Sequence, residues 1–209
     1  MSAFTTDWDS PYEMRGVGFM VAEWFRIYDK YHPNDERTFA SLLQEITAGN
    51  DIVELGPRKR PMVFLWQFSP RNHFCVDPSG KKNTALPSLF QGIKSDGLTY
   101  LESIQGFKGV VSFDLFDPCI LREDYAANLA EEIYRKTIHG GLTFHSCAEG
   151  FERFFLNSGF VYEKGVYATG FLDSSLSPEI LQQRGAEQKH KERRILTFFR
   201  KPEPLGSTN

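Results

Sequence analysis

Two acids share the run "FDLFDP" (113–118), and they have different physical explanations. Asp117 precedes Pro118, a pairing that starts helices, because proline fits the first helical turn. Asp114 stands between Phe113 and Leu115 in "GVVSFDLF" (109–116), which reads as a buried strand. Period-two alternation puts Val111, Phe113 and Leu115 on one face and Ser112, Asp114 and Phe116 on the other. A carboxylate in a strand covered on both faces needs a partner. His32 is a candidate for that partner. It precedes a helix expected to open at Pro33, Asn34 and Asp35, and the positive end of a helix disfavours the imidazolium. A neutral imidazole is a general base near neutral pH. A carboxylate on its second ring nitrogen would fix the tautomer and offset developing charge. His145 in "LTFHSC" is the rival: a base, or a half-buried strand histidine. No Walker loop, nucleophile elbow or His-x-x-His cluster is present.

These residues need elements to position them. "GFMVAEWFRIYDKY" (18–31) is apolar on more than one face and reads as a buried helix, or alternatively a strand. "PNDERTFASLLQEITAGN" (33–50) is a helix capped by Asn34 or Asp35, with Phe39, Leu42, Leu43 and Ile46 as its stripe. "DIVELGPRKRPMVFLWQFSP" sets two apolar runs around a Gly-Pro basic turn, a hairpin signal. Residues 76–108 are broken by Pro and Gly, with short helices expected around Leu86 to Phe90 and Tyr100 to Ile104. "CILREDYAANLAEEIYRKTI" is an amphipathic helix on Leu121, Tyr125, Leu129 and Ile133. A strand "LTFHSC" follows. A helix then opens on a capping box, Ser146 to Glu149, and closes on Gly159. "FVYEKGVYATGFL" and "RILTFFRKP" are the last strands. The fold class is α/β, with helices on both faces of a mixed central sheet.

The chain has 209 residues, a net charge of −3, 19 Phe and three Cys. That length fits a single domain over 1–209, with tails at 1–15 and 203–209 and a polar insertion at 174–194. The small negative charge gives no field favouring nucleic acid. The phenylalanines pack the core or line a channel for an apolar ligand. Three cysteines without metal-type spacing point away from a disulfide framework and towards a reducing cytoplasm. The N-terminus is too polar for a signal peptide, and no apolar run reaches the ~18 residues of a membrane span.

The element order resembles the GNAT acyltransferase fold, and "FERFFLNSGFVYEKG" is similar to the late helix and strand of that superfamily. The resemblance implies a mixed, mostly antiparallel sheet. Its usual acyl-CoA turn is Gly-rich, whereas the matching place here reads "DPCILRED". The branch lacking that turn is the RTX-toxin-activating lysine acyltransferases. The chain resembles them in "GFMVAEWFRIYDKYH", in "DIVELGPRKRPMVFLWQFS" and in "FDLFDP". That likeness implies an acyltransferase moving a fatty acyl group from acyl carrier protein to a lysine of a protein partner. It makes His32 the base and Asp114 its orienter. Trp66 packs the core or lines an acyl channel. Arg58, Lys59 and Arg60 form a basic tip, with solvated loop charges or docking of an acidic acyl carrier protein as its two readings. Cys119 and Cys147, each at an expected helix start, offer a covalent acyl route. Two alternatives stand beside this reading: a GNAT using a small acyl-CoA, and a non-catalytic GNAT-shaped binding protein. A homodimer is a further possible partner state.

Overall fold

The computed structural model describes residues 29–30, 34–57, 62–78, 90–107, 109–116, 121–168 and 194–204. Helix α1 is Phe39–Thr47. Its stripe of Phe39, Leu42, Leu43 and Ile46 is buried, as the spacing predicts. Its start is different: Thr38 takes the Ser41 N–H at 3.1 Å, and the Asp29 carboxylate takes those of Phe39 and Ala40 at 2.8 and 3.0 Å. Asp35, one of the expected caps, instead pairs with Lys164.

Strand β1 is Asp51–Leu55. The next apolar run forms no hairpin arm. Val63–Phe68 is a short 3-10 helix, and β2 is Asn72–Val76. β1 and β2 pair in parallel, with Glu54 beside Cys75. A run such as "VFLWQF" fits strand or helix equally well by hydropathy, so the turn signal misleads here.

β3 is Phe90–Ile93, in the stretch expected to hold a helix, and pairs in parallel with β2. α2 is Gly97–Ser103 and β4 is Gly109–Phe116. β4 lies parallel to both β1 and β5, which is Leu142–Ala148. Between β4 and β5 runs α3, Glu123–Lys136, with Leu129 and Ile133 fully buried. Acids occupy its first turn and bases its last, complementing the helix dipole. Lys201 Nζ donates to the Tyr134 and Thr137 carbonyls at 2.8 Å each, satisfying its C-terminal end. The expected capping box does not form, because Ser146 lies inside β5. α4 is Glu152–Asn157, β6 is Val161–Ala168 and β7 is Arg194–Arg200.

The sheet order is β3-β2-β1-β4-β5-β7-β6. Only β7 runs against its neighbours. The sheet is therefore mostly parallel, which corrects the mostly antiparallel GNAT-like expectation. The physical cause is connection length: crossovers through helices, rather than tight turns, join β1 to β2 and β4 to β5.

Helices cover both faces. α1 and the 3-10 helix pack Phe39, Leu42, Met62 and Leu65 onto Ile52, Val111, Phe144 and Phe198. α2, α3 and α4 pack Leu101, Leu129, Ile133 and Phe155 onto Val53, Val110, Phe116 and Phe199. The phenylalanines thus fill two slabs of core. Gly109 is held by close approach, since a Cβ there would meet Ile46 Cγ2 at 2.5 Å.

Candidate functional site

In an open, mostly parallel sheet, the natural crevice lies beyond the carboxyl ends of the strands, where the strand order reverses. That point here falls between β1 and β4. β1 ends in Gly56, with φ +68°. The left-handed turn requires glycine, and the Leu115 side chain of β4 packs over it, 2.9 Å from where a Cβ would stand. The Gly56 N–H donates to the Val76 carbonyl at 2.9 Å. At the end of β2, the Asp77 N–H donates to the Ile93 carbonyl at 3.0 Å. Asp77, a buried carboxylate, therefore stands one strand from the Gly56 turn. After β3, Asp96 caps α2 through the Thr99 N–H and accepts the Tyr125 hydroxyl at 3.1 Å. Its hydrogen bonds, those from Thr99 first, hold its carboxyl below the usual range.

A second cluster lies directly under this turn. Glu54, 1% exposed, takes the Met62 N–H on both carboxylate oxygens at 3.0 Å. Its Oε2 is 2.7 Å from His73 Nε2, and the Trp66 indole N–H donates to His73 Nδ1 at 3.1 Å. Indole is a donor only, so Nδ1 accepts and the ring proton sits on Nε2, directed at Glu54. Cys75 Sγ lies 4.0 Å from Glu54 Oε2.

Glutamate, histidine and cysteine are ordinary zinc donors, and these three ligand atoms lie within 4.8 Å of one another. The hydrogen-bond polarity opposes that use. A metal on Nε2 would move the proton to Nδ1, against the indole N–H, whereas ligating histidines donate their second N–H to an acceptor. Burial, and then the Glu54 charge, also push up the Cys75 thiol, away from the thiolate a metal needs. The cluster suits a hydrogen-bonded unit.

His145 is fully buried, stacked on Phe155 at 4.2 Å between ring centres. Its Nδ1 is 2.8 Å from Ser112 Oγ, and Nε2 has no hydrogen-bond partner among the described residues. Burial pulls its pKa down to about 3. It is a core histidine, closed off from any substrate. Cys75 and Cys147 are both buried.

Of the residues singled out in the sequence, His32, Arg58, Lys59, Arg60 and Cys119 lie outside the described residues. Asp114 is placed on β4 by its backbone only, at the carboxyl end of the strand. Trp66 is half-buried on the 3-10 helix, bonded to His73. Glu54, Gly56, His73 and Asp77 were not picked out in the sequence. The signal for Gly56 and Asp77 was there: a glycine directly after an apolar strand, with an acid about 20 residues on, is part of a nucleotide-binding fingerprint. The hairpin reading hid it, and so did the missing later glycines, where the chain reads "GPRKRP".

No family model and no curated protein matches the chain. Solved structures do. The chain is similar to a protein from Galdieria sulphuraria described as a sarcosine dimethylglycine methyltransferase (12% identity, 88% of each chain, TM-score 0.59). It is similar to the N-methyltransferase NodS from Bradyrhizobium japonicum in complex with S-adenosyl-L-homocysteine (13% identity, 89% of this chain and 99% of that one, TM-score 0.56). It is also similar to the [4+2]-cyclase SpnF (12% identity, 78% and 80%, TM-score 0.55).

These neighbours overturn the resemblance to toxin-activating acyltransferases and to GNAT proteins. Fatty acyl transfer to lysine loses its basis, and so do acyl carrier protein and acyl-CoA as co-substrates. Among the described residues no helix is long and apolar enough to cross a membrane. At these identities the likeness establishes a methyltransferase-like Rossmann fold, and one fold serves more than one chemistry.

Proposed function

We propose that the chain binds S-adenosylmethionine beyond the carboxyl ends of β1, β2 and β4 and transfers its methyl group to an acceptor. The observation that carries this reading is Asp77 at the end of β2, beside the Gly56 turn at the switch point of the sheet. An acid in that position accepts the hydroxyls of an adenosine ribose. The bound S-adenosyl-L-homocysteine of the NodS structure supports the same cofactor class.

The turn itself narrows the choice. Dinucleotide sites use further glycines and a helix N-terminus to approach a pyrophosphate. Here the sequence continues "PRKRP", and the N–H of Met62, which leads into the 3-10 helix, is taken by Glu54. A sulfonium nucleoside carries no phosphate and needs no such cradle. When bound, it supplies an electrophilic methyl group.

The chain's own residues have separable tasks. Asp77 holds the ribose, and the Gly56 backbone lets the cofactor pass close to β1. Arg58, Lys59 and Arg60 follow that turn in sequence and offer cations to the carboxylate of the methionyl end. Asp114, on the strand across the switch point, and His32 handle the acceptor's proton.

Isothermal titration tests the reading. Wild type binds S-adenosylmethionine with measurable heat, and Asp77→Asn weakens it about tenfold or more, the loss of one charge-assisted bond. Absence of binding to the wild type would refute it.

A further inference from the structure

Glu54 stands one residue before the end of β1 and is closed inside the fold, so its carboxylate needs partners. Its neighbours come from three places: Met62 at the end of the turn, His73 on β2, and, through His73, Trp66 on the 3-10 helix. The chain leaves β1 at Gly56 and Pro57 and comes back at Met62. The return point is thus bonded to a residue just before the exit. The orientation of that bond depends on the His73 tautomer, which the Trp66 N–H selects. With the other tautomer, an Nε2 lone pair would face the Glu54 carboxylate.

We propose that Glu54 is a positioning residue: its carboxylate, oriented by His73 and Trp66, holds Met62 and the start of the 3-10 helix against the end of β1, next to Gly56 at the crevice. What this does for a ligand rests on the nucleoside-cofactor reading; the positioning itself does not. The carboxylate also occupies the N–H of Met62, which makes Glu54 an internal anion where related folds hold a ligand phosphate.

The turn carries its own reporter, because trypsin cuts after Arg58 and Lys59. Limited proteolysis is followed by mass spectrometry on wild type, Glu54→Gln and Trp66→Phe, with cleavage after Lys136 in α3 as the measure of global opening. Circular dichroism first establishes that each variant is folded. Both variants are expected to raise cleavage at Arg58 and Lys59 about tenfold relative to Lys136, since cleavage follows the population in which Met62 has left Glu54. Trp66→Phe is the stricter variant, because it removes one N–H and keeps an aromatic ring. An unchanged ratio, or a rise only in step with Lys136, would overturn the proposal.

The same digest run with saturating S-adenosyl-L-homocysteine separates the two readings. Protection of Arg58 and Lys59 in the wild type supports the cofactor site. Loss of protection with a retained variant effect removes the cofactor reading and leaves the positioning role standing.

Discussion

His145 shows how one residue can carry chemistry in the sequence and none in the fold. Its ring lies among Phe116, Phe155 and Phe199, and among the described residues only Nδ1 has a polar partner. Burial depresses its pKa from an ordinary 6.5 to about 3, so the folded state resists a proton that the unfolded chain accepts. Above pH ~6.5 both states are neutral, and His145 adds nothing to the pH dependence. Below that, stability falls by one proton's linkage, about 1.4 kcal/mol per pH unit, until the folded pKa is approached. His145→Phe is expected to unfold less steeply with acid by that slope between about pH 6 and pH 4. Urea titrations across this range read it, and parallel curves would refute it. Glu54 and His73 were illegible for a related reason: each is a polar residue within a strand, and only strand pairing says what it faces. The alternation rule for β4 was similarly incomplete, because a register shift lies between Ser112 and Phe116. Leu115 as a result packs with the same core slab as Val110 and Phe116.

Elements were more legible where amphipathic periodicity ran long. The α1 stripe follows from its i, i+3, i+4, i+7 spacing and the buried Leu129 and Ile133 of α3 from four-residue spacing, although Leu121 lies ahead of that helix; the strands of β4, β5, β6 and β7 follow from apolar runs bounded by turns. What could not be read is what ties α1 down. Arg37 pairs with Glu45 and Glu163, and Arg200 pairs with the same two acids at 2.9 and 2.8 Å. Lys164 adds Asp35 at 2.6 Å and the Arg37 carbonyl at 2.7 Å. This alternating ring joins the segment before α1, and α1 itself, to β6 and β7. Its long links span 126 residues between Arg37 and Glu163 and 155 between Arg200 and Glu45. No local pattern reveals it. Single exposed pairs contribute little, but a network with partly buried members contributes more. The Arg200 hydrogen bond, before any other attraction, holds the Glu163 carboxyl below its ordinary range. That contribution is present above the unfolded carboxyl pKa and is lost as pH falls through the lower folded value. Glu163→Gln is expected to cost about 1–2 kcal/mol at low ionic strength, and less than half of that in about 1 M NaCl, where screening reaches ~3 Å. Urea unfolding at both salt levels checks this, and a cost independent of salt would point to packing instead.

At the scale of the whole molecule, parallel pairing puts every crossover's upper loop at one end of the sheet. That end collects Gly56, Asp77, Asp96 and the carboxyl end of β4 from parts of the chain far apart in sequence. The sequence reading reached α/β with helices on both faces, yet it placed the site through an acyltransferase resemblance. A hairpin and a crossover differ there in the conformation of "VFLWQF" and in two unrecognised strands, β2 and β3. Those elements decide the sheet direction, and with it which loops meet. The resulting crevice makes a prediction that separates cofactor classes by mass action. A ligand bound only by the folded state at about 100 times its Kd stabilises it by about 2.7 kcal/mol. For a domain of this size each kcal/mol shifts Tm by roughly 2–4 °C, so S-adenosyl-L-homocysteine is expected to raise Tm by roughly 5–10 °C. NAD is expected to leave Tm unchanged at the same concentration, because the turn after β1 lacks the glycines that admit a pyrophosphate and Glu54 already holds the Met62 N–H. Glu54→Gln sharpens the comparison, since it keeps the side-chain shape and removes the internal charge that opposes a phosphate. Differential scanning fluorimetry with both ligands on both proteins decides it. A larger shift from NAD than from S-adenosyl-L-homocysteine in the wild type would show that the crevice is built for a dinucleotide after all.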